Sequence, residues 1–249
     1  MDKVVLITGA TSGIGRATVN RLAGEGYRII ACGRREDRLS ELRDTWGDAL
    51  HTLVFDVRNK EAVAAAINGL PEAFRPVDIL VNNAGNAHGL DPIQSGSLED
   101  WDAMMDINVK GLLYVTHAVL PMMLESGAGH IINIGSTAGK EVYPKGNVYC
   151  ASKHAVDALN QAMRIDLNEA GIRVGAVNPG LVETEFSEVR FKGDTDRAAG
   201  VYQGFQPLKP EDIADLISFA ISRPPHVNIA DLVVMPTAQA SSTIVRRKS

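Results

Sequence analysis

Two residues with complementary chemistry, Tyr149 and Lys153, stand four positions apart in the stretch NVYCASKHAVDAL. This stretch has the pattern of a helix, in which residues four apart lie on one face. A nearby ammonium group favours the ionised form of a phenol and so lowers the phenol pKa. We therefore expect Lys153 to prepare Tyr149 for proton exchange with an alcohol near neutral pH. Taken alone, such a pair is more often a surface Tyr beside a surface Lys, so its meaning depends on the neighbouring motifs.

A glycine-rich turn, TGATSGIG, follows the first predicted strand and opens a predicted helix. Gly9 permits a tight turn, Gly13 lets the backbone approach a pyrophosphate, and Gly15 lets the helix pack close to the sheet. The helix N-terminus then offers free N–H groups and a positive dipole end to a phosphate. An ordinary strand-to-helix turn is the alternative, which the position directly after the first strand disfavours.

The end of the second predicted strand indicates which nicotinamide dinucleotide the chain binds. NAD-binding sites usually place an Asp or Glu here to accept hydrogen bonds from the ribose 2′-OH. This chain instead has Arg34 and Arg35, with no acid before Glu36. A guanidinium can bind a 2′-phosphate bidentately, so we expect NADP(H). The alternative is that both arginines cap the next helix or stay in solvent. Asp56 and Val57, at the end of the third predicted strand, are expected to flank the adenine.

The elements that must position these residues alternate along the chain. Short apolar, β-branched runs are typical of strands buried on both faces of a parallel sheet. The predicted strands are Val4 to Thr8, Tyr27 to Cys32, His51 to Val57, Asp78 to Asn83, His130 to Ser136, Arg173 to Asn178 and Ile229 to Met235. The predicted helices are Ile14 to Ala23, Glu36 to Trp46, Lys60 to Leu70, Trp101 to Leu124, Tyr149 to Ala170 and Glu211 to Ser222. This alternation predicts an α/β fold, a single doubly wound domain over residues 1–249 with a mostly parallel sheet. A long irregular segment, residues 180–210, is expected to cover the site.

Composition and charge exclude several functional classes. The chain has 249 residues, 45% of them hydrophobic, which suits one large core. Its formal net charge of -5 gives no electrostatic case for nucleic acid or an anionic membrane, and its longest apolar runs fall short of a membrane span. Two cysteines and no signal peptide before the first strand predict a reduced, cytoplasmic protein. The basic tail Arg246-Arg247-Lys248 is expected to be a solvated end, and the His and Cys spacing predicts no metal site.

Together these motifs resemble the short-chain dehydrogenase/reductase family. The family's order and spacing are matched over nearly the whole chain by TGATSGIG, the NNAG segment from Asn82 to Gly85, the strand ending at Ser136, Tyr149-x-x-x-Lys153 and Pro179-Gly180. The resemblance implies a Rossmann-type sheet of seven strands flanked by helices, and a homotetramer or homodimer.

The resemblance also implies roles within the site. Tyr149 would be the catalytic acid/base, and Lys153 would lower its pKa and bind the nicotinamide ribose. Ser136 would hold the substrate oxygen, and Asn108 would support a water-linked proton relay to the lysine. Taken singly, Ser136 could be a turn cap and Asn108 could end a helical turn. The further implied cofactor residues are Gly9, Thr11, Ser12, Gly13, Ile14, Gly15, Asn83, Ala84, Gly85, Pro179, Gly180, Leu181, Val182 and Thr184.

A finer resemblance concerns the substrate. Three strings, GHIINIGSTAG, EFSEVRFKGD and HVNIADLVVMP, are similar to NADP-dependent 3-hydroxy acid dehydrogenases. That group acts on serine, allo-threonine, 3-hydroxyisobutyrate and 3-hydroxypropionate, and sulfoacetaldehyde reductases resemble it closely. Both sets of substrates carry a carbonyl or hydroxyl near an anionic head group, so a cation is expected near the site.

Arg190, in the segment after Pro179-Gly180, is the expected partner of that head group because a guanidinium binds a carboxylate or sulfonate bidentately. An equally weighted alternative is that Arg190 ties its loop to the protein body. Tyr143 is expected to line the same pocket, with Lys140 as a second candidate cation. The segment reads GLVETEFS where relatives commonly carry GLVGGTEFS, and the acid that it gains, Glu183, leaves the head-group preference open.

We therefore expect an NADP-dependent oxidoreductase that transfers hydride between nicotinamide and a small 3-hydroxy acid or its semialdehyde. Its substrate residues would be Ser136, Tyr149, Tyr143 and Arg190. Three alternatives remain: a sulfoacetaldehyde reductase, a reductase of bulkier ketones such as a 3-ketoacyl thioester, and a non-catalytic NADP-sensing protein. The acidic chain has no obvious basic surface for a carrier protein, and a sensing protein would typically have lost the Tyr or the Lys.

Overall fold

A seven-stranded parallel sheet, in the order β3-β2-β1-β4-β5-β6-β7, forms the centre of the protein. The structure is a computed structural model and describes residues 3–248. The strands are β1 (Val4–Thr8), β2 (Arg28–Gly33), β3 (Leu50–Val54), β4 (Ile79–Asn82), β5 (Gly129–Ile134), β6 (Ile172–Pro179) and β7 (Asp231–Val234). Each predicted strand is present, and the predicted Rossmann-type α/β fold is confirmed.

Helices connect the strands and cover both faces of the sheet. They are α1 (Gly13–Gly24), α2 (Glu36–Trp46), α3 (Lys60–Asn68), α4 (Leu98–Met105), α5 (Leu112–Ser126), α6 (Asn147–Asp166), α7 (Phe186–Arg190), α8 (Thr195–Gly200) and α9 (Pro210–Ile221). The prediction of one α-helix from Trp101 to Leu124 is wrong, because a π-helical turn, Asp106–Gly111, separates α4 from α5. The segment 180–210, which we call the substrate loop, is less irregular than predicted because it contains α7 and α8.

Two apolar clusters, one on each face of the sheet, hold the layers together. Neighbouring residues of β1 alternate between them: Val5 and Ile7 belong to the cluster with α1 and α9, and Val4 and Leu6 to the cluster with α3 and α5. All four side chains are at most 2% exposed. Burial on both faces explains why this strand reads as a continuous apolar run, and it fixes the position of the loop that follows β1.

The strand order determines where a site can form. β1 has β2 on one side and β4 on the other, so the direction of winding reverses between β1 and β4. In open parallel sheets, ligands bind at such a reversal, in the crevice outside the carboxyl ends of the strands. The glycine-rich turn follows β1 and the NNAG segment begins in the last residue of β4, so both lie at this crevice.

One helical stretch, Leu98–Ser126, is long and apolar enough to cross a membrane, judged by length and composition alone. Of its most apolar window, 44% is buried inside the protein. Its residues Val115, Val119 and Met123 pack in the same apolar cluster as Val4 and Leu6. Core helices of soluble proteins have the same properties, so this stretch is weak evidence for a membrane span.

Candidate active site

A cavity of about 670 Å³ opens at the carboxyl edge of the sheet, and most of the predicted cofactor and substrate residues line it. These residues are Gly9, Thr11, Ser12, Gly13, Ile14, Arg34, Arg35, Asp56, Val57, Asn83, Ala84, Gly85, Ser136, Tyr143, Tyr149, Lys153, Pro179, Gly180, Leu181, Val182, Thr184 and Arg190. Two predicted residues lie behind the lining: Gly15, in the first turn of α1, and Asn108, in the π-helical turn.

The glycine-rich turn packs its backbone tightly around the start of α1. Gly9 and Gly13 have positive φ angles of 66° and 49°, which L side chains rarely adopt. A Cβ at Gly15 would lie 2.2 Å from the Gly9 carbonyl oxygen, so the close approach of α1 requires a glycine there. Ser12, the N-cap of α1, makes no capping bond, and the first turn of α1 contains no acid. These features fit a cofactor pyrophosphate, because the first N–H groups and the positive dipole end of α1 are left for an anion.

Asn83 fixes this turn to the end of β4. Its Nδ2 donates to the Thr8 and Gly9 carbonyl oxygens at 2.9 and 3.2 Å. The Thr8 hydroxyl in turn accepts from the N–H groups of Asn83 and Ala84 at 3.0 and 2.9 Å. The NNAG segment therefore bridges the crevice between β1 and β4, while its small residues Ala84 and Gly85 line the cavity.

Arg35 is held between the glycine-rich turn and the substrate loop. Its Nη2 donates to Thr11 Oγ1 at 3.0 Å and to Ser12 Oγ at 2.7 Å, and its Nη1 lies 2.9 Å from Glu185 Oε2. Arg38, one turn further along α2, donates to Glu185 Oε1 at 2.6 Å. Burial would raise the pKa of Glu185, but hydrogen bonds from Arg35 and Arg38 lower it overall. An ionised carboxylate of the substrate loop thus sits between two guanidiniums; the sequence predicted only Arg35.

Arg34 is the more accessible of the two predicted arginines. Its side chain is 63% exposed, and its Nη1 lies 3.6 Å from Asp56 Oδ2. Arg58 binds both oxygens of Asp56, at 3.1 and 3.0 Å from its Nε, and these hydrogen bonds lower the Asp56 pKa. A contact from Asp56 to the adenine amino group, which the sequence suggested, would compete with this bidentate bond. Arg34 therefore has the freer charge at the expected position of a ribose 2′-phosphate.

The predicted catalytic pair is more deeply buried than a surface pair would be. Tyr149 and Lys153 lie one turn apart on α6, and each is 8% exposed. Burial raises the Tyr149 pKa, although a hydrogen bond with Ser136 and the charge of Arg190 act in the opposite direction. Burial also lowers the Lys153 pKa from 10.5 to about 8, and Lys153 Nζ donates to the Ile134 carbonyl oxygen at 2.9 Å. The predicted lowering of the Tyr149 pKa by Lys153 is not found in this structure: burial has the largest effect and raises the pKa, and Lys153 is not among the main groups that shift it.

Asn108 braces α6 from behind the cavity. It is 2% exposed, and its Nδ2 donates to the Asn86 carbonyl oxygen at 2.9 Å and to Ser152 Oγ at 3.0 Å. Its Oδ1 accepts from the Asn86 N–H at 2.8 Å. A Cβ at Gly85 would lie 3.2 Å from Asn108 Oδ1 and 3.6 Å from Lys153 Nζ, so both polar groups approach the same point. The π-helical turn supplies this geometry, and a proton relay through it remains a prediction.

Arg190, at the end of α7, is anchored beside Tyr149, the predicted catalytic tyrosine. Its Nη2 donates to the Tyr143 hydroxyl at 2.9 Å and its Nε to the Gly89 carbonyl oxygen at 3.2 Å. Its guanidinium carbon lies 5.6 Å from the Tyr143 ring centroid and 5.4 Å from the Tyr149 ring centroid. Phe186, at the start of α7, lies 5.7 Å from Tyr149, centroid to centroid. Arg190 therefore ties α7 to the protein body and also lines the cavity, so the two alternatives are compatible.

The expectation that Lys140 lies in the head-group site is wrong, and Glu183, the acid gained by the loop, also lies away from the cavity. Lys140 does not line the cavity: its Nζ lies 2.6 Å from Asp157 and 2.7 Å from Asp231, and these carboxylates satisfy its charge. Glu183, whose effect on the head-group preference the sequence left open, is exposed and lies outside the cavity lining. Within residues 3–248, no cluster of three or more His, Cys, Asp or Glu side chains could hold a metal ion.

The C-terminal segment contacts the substrate loop, while its basic residues Arg246, Arg247 and Lys248 are exposed, as predicted. Arg247 donates to the Val201 carbonyl oxygen at 3.0 Å, and its guanidinium carbon lies 5.2 Å from the Phe205 ring centroid. Gln239 Oε1 accepts from the Leu181 N–H at 2.9 Å. Arg247 and Gln239 both line the cavity. The sequence pattern gave no signal for these residues, because the two hydrogen bonds join positions 46 and 58 apart and use backbone groups that any residue supplies.

Comparison with known proteins agrees with this geometry. A family model described as short chain dehydrogenase matches residues 3–194. The NADP-dependent 3-hydroxy acid dehydrogenase YdfG of Escherichia coli is 48% identical over 95% of this chain and 96% of its own. Sulfoacetaldehyde reductase 2 of Chromohalobacter salexigens is 49% identical over 97% of both chains. The closed form of a serine dehydrogenase complexed with NADP+ is 46% identical, with a TM-score of 0.95 over 99% of this chain and 100% of that one. These findings confirm the reaction class and the cofactor that the sequence predicted.

Proposed function

Because the chain belongs to the short-chain dehydrogenase family, we propose that it transfers hydride between NADP(H) and a small 3-hydroxy acid or its semialdehyde. Serine, allo-threonine, 3-hydroxyisobutyrate and 3-hydroxypropionate are alcohols of this type. The observation that carries the proposal is the position of Arg190, whose guanidinium carbon lies 5.4 Å from the Tyr149 ring centroid in the same cavity. A cation so placed can bind a carboxylate while the nearby substrate oxygen meets the Tyr149 hydroxyl.

The charge of Arg190 is available to a ligand. Within residues 3–248, its hydrogen bonds go to the neutral acceptors Tyr143 and Gly89, and no carboxylate lies at salt-bridge distance. The two acids that line the cavity, Asp56 and Glu185, are each paired with other arginines. A guanidinium has five N–H donors, so Arg190 retains enough of them for a bidentate bond. Hydrogen bonds of this charged type are each worth about 1.5–3 kcal/mol.

Each catalytic side chain has a defined task in this reaction. Bound NADP(H) supplies or accepts the hydride. Ser136 donates to the substrate oxygen, and Tyr149 gives that oxygen a proton during reduction or removes one during oxidation. Lys153, one turn from Tyr149 on α6, holds the nicotinamide ribose of the bound cofactor. Asn108 holds the α6 segment that carries both residues through its bond to Ser152.

Reduction of sulfoacetaldehyde is the second candidate, supported by the 49% identity to a sulfoacetaldehyde reductase. A sulfonate has the same charge as a carboxylate and offers three acceptor oxygens. Arg190 can bind either group through the same N–H donors, and Glu183 lies outside the cavity lining.

An NADP+-coupled screen tests this proposal directly. Serine, allo-threonine, 3-hydroxyisobutyrate, 3-hydroxypropionate and isethionate should be compared with n-propanol, the neutral counterpart of 3-hydroxypropionate. We expect kcat/KM for the best acid to exceed that for n-propanol by about tenfold to a hundredfold, the value of one charged hydrogen bond. A preference for isethionate would favour the sulfonate alternative. Equal values for n-propanol and the acids would contradict the proposed head-group site.

We also propose that the chain forms a homotetramer or homodimer and works in the cytoplasm. Leu113 and Leu124 on α5 are 38% and 48% exposed, and Ile165 on α6 is 75% exposed, which supports association through these helices. Cys32 and Cys150 are buried and free, which suits a reducing compartment. Light scattering of the protein and of Ile165→Lys tests the assembly: the substitution should lower the measured mass, and an unchanged mass would exclude Ile165 from the interface.

A further inference from the structure

A single carboxylate, that of Glu185, connects two sites that the reaction uses separately. Glu185 immediately precedes α7, whose other end carries Arg190. Its partners Arg35 and Arg38 belong to the start of α2, beside the glycine-rich turn. The contacts span 150 and 147 positions of sequence, so they fix the loop to a distant part of the fold. Glu185 thus links the proposed head-group site to the pocket expected to hold the cofactor's ribose.

The backbone beside Glu185 is packed against the turn expected to hold the pyrophosphate. A Cβ at Gly13 would lie 3.1 Å from Thr184 Cγ2, and Thr184 directly precedes Glu185. Thr184 Oγ1 also accepts from the Phe186 N–H, at 3.2 Å, and so helps to fix the start of α7. The link between the cofactor pocket and α7 is therefore short: one turn of helix separates Phe186 from Arg190.

The charges at this junction are not balanced within residues 3–248. Arg34, Arg35 and Arg38 carry three positive charges, and Glu185 supplies one negative charge, 2.9 and 2.6 Å from the last two. The aspartate 3.6 Å from Arg34 is already neutralised by Arg58. A phosphate monoester carries about -1.5 to -2 at neutral pH. A 2′-phosphate and Glu185 together therefore come close to balancing the three guanidiniums, which favours their presence at the same time.

The guanidinium donors are also sufficient for both anions. Arg38 uses Nη1 for Glu185 and for the Thr11 carbonyl oxygen, at 2.6 and 3.4 Å. Its other N–H groups make no hydrogen bond within the part of the chain that the structure describes, so they remain for a phosphate. Arg35 is held by Thr11 and Ser12, whose hydroxyl oxygens accept from it and whose own hydrogens remain free to donate.

We propose that Glu185 is a positioning residue through which the 2′-phosphate of NADP(H) holds α7, and with it Arg190, in place for the substrate. The proposal rests on the proposed function. A phosphate that already restrains Arg35 and Arg38 reduces the further conformational entropy that these two arginines lose when they pair with Glu185. α7 is therefore held more firmly when NADP(H) is bound than when NAD(H) is bound. Because such coupling is reciprocal, an ordered substrate loop also favours NADP(H) over NAD(H).

Hydrogen exchange of α7 tests this coupling without any substrate. The Val189 and Phe191 amides donate to the Glu185 and Ser187 carbonyl oxygens, so their exchange reports opening of α7. The complexes to compare are those saturated with NADP+ and with NAD+. In the unmodified protein we expect exchange to be about fivefold slower with NADP+, the lower end of typical coupling. Glu185→Gln keeps the size of the side chain but removes its charge, and should abolish this difference.

Two further variants make the result decisive. Glu183→Gln changes an exposed acid two positions away on the same loop and should retain the full difference. Arg38→Gln removes one partner of Glu185 while leaving Arg35 in place, and should reduce the difference without altering Glu185 itself. No difference in the unmodified protein, an unchanged difference in both Glu185→Gln and Arg38→Gln, or an equal loss in Glu183→Gln would overturn the proposal.

A kinetic measurement separates this proposal from the proposed function. The ratio of the substrate KM measured with NAD(H) to that measured with NADP(H) should exceed one, and should approach one in Glu185→Gln, with kcat changing less than KM. An unchanged ratio in Glu185→Gln would contradict the positioning role. Failure of the head-group proposal would appear instead as equal use of acids and n-propanol, with the exchange result unaffected.

Discussion

The predicted catalytic residues and the substrate loop are held in place by different kinds of interaction. Tyr149, Lys153 and Asn108 are at most 8% exposed, and neighbouring elements of the core surround them. Glu185 and Arg190 are only partly buried, and they depend on ion pairs and hydrogen bonds to residues 47 to 150 positions away. Exposed ion pairs contribute little energy and are easily rearranged. The difference predicts a catalytic centre fixed by the core and a head-group site held by partly exposed contacts.

The largest loss of activity is expected from a substitution of the buried residue Tyr149. Tyr149→Phe removes the proton donor while keeping the ring that packs against Phe186. We expect kcat to fall by at least about a thousandfold, in the range of general acid catalysis, and the Kd for NADPH to stay within about twofold. Steady-state rates and a fluorescence titration of NADPH measure the two quantities. Substantial remaining turnover would show that another group supplies the proton.

Substitutions of Arg34 and Arg35, which follow β2, separate binding of the 2′-phosphate from support of the glycine-rich turn. Arg34→Ala should weaken NADPH binding by about tenfold to a hundredfold and NADH binding much less, because the accessible Arg34 serves the 2′-phosphate. Arg35→Ala should weaken the binding of both NADPH and NADH, because Arg35 also holds Thr11 and Ser12 in the glycine-rich turn. Titrations of each variant with NADPH and NADH provide the test. Equal losses for the two dinucleotides in Arg34→Ala would undo its assignment to the phosphate.

His130 is a core side chain whose burial is expected to affect the stability of the protein. His130, at the start of β5, is 1% exposed, and neither ring nitrogen has a hydrogen-bond partner within residues 3–248. Burial lowers its pKa to about 3. The unfolded chain, with a His pKa of about 6.5, therefore takes up the proton first as the pH falls, so stability is lost between about pH 6.5 and pH 3.

For His130 this loss should amount to about 2 kcal/mol of unfolding free energy between pH 7 and pH 5. Urea unfolding at both pH values measures it. His130→Leu, which cannot be protonated, should show a correspondingly smaller change in unfolding free energy between the two pH values. An equal pH dependence in the variant would mean that other groups cause the loss.

The sequence predicted those parts of the molecule that depend on local pattern and backbone geometry. The apolar run of β1 identified a strand buried on both faces, and the glycines after it identified a turn that the structure places at the cavity. The π-helical turn around Asn108 was missed because its residues, Asp106–Gly111, continue the apolar pattern of an α-helix. Nothing in that pattern indicates that the Asn108 side chain bonds to Asn86 and Ser152.

Other features were inaccessible because they depend on distant contacts or on burial. Glu185, Arg38 and Arg247 contribute to the site only through residues that the fold brings near them. Lys140 looked like a free cation in the sequence, yet Asp157 and Asp231 neutralise it. The raised Tyr149 pKa was missed for a related reason: the spacing of Tyr149 and Lys153 gives their proximity but not the loss of hydration that both undergo.

The most direct test of the account is the substrate preference of Arg190→Ala. If Arg190 binds the anionic head group, the KM for the preferred hydroxy acid should rise by about tenfold to a hundredfold, while kcat/KM for n-propanol changes by less than about threefold. Arg190→Lys should recover part of the loss, because an ammonium keeps the charge but not the bidentate geometry. An equal loss of kcat/KM for the acid and for n-propanol would show that Arg190 only supports α7, and would contradict the proposed recognition of small hydroxy acids.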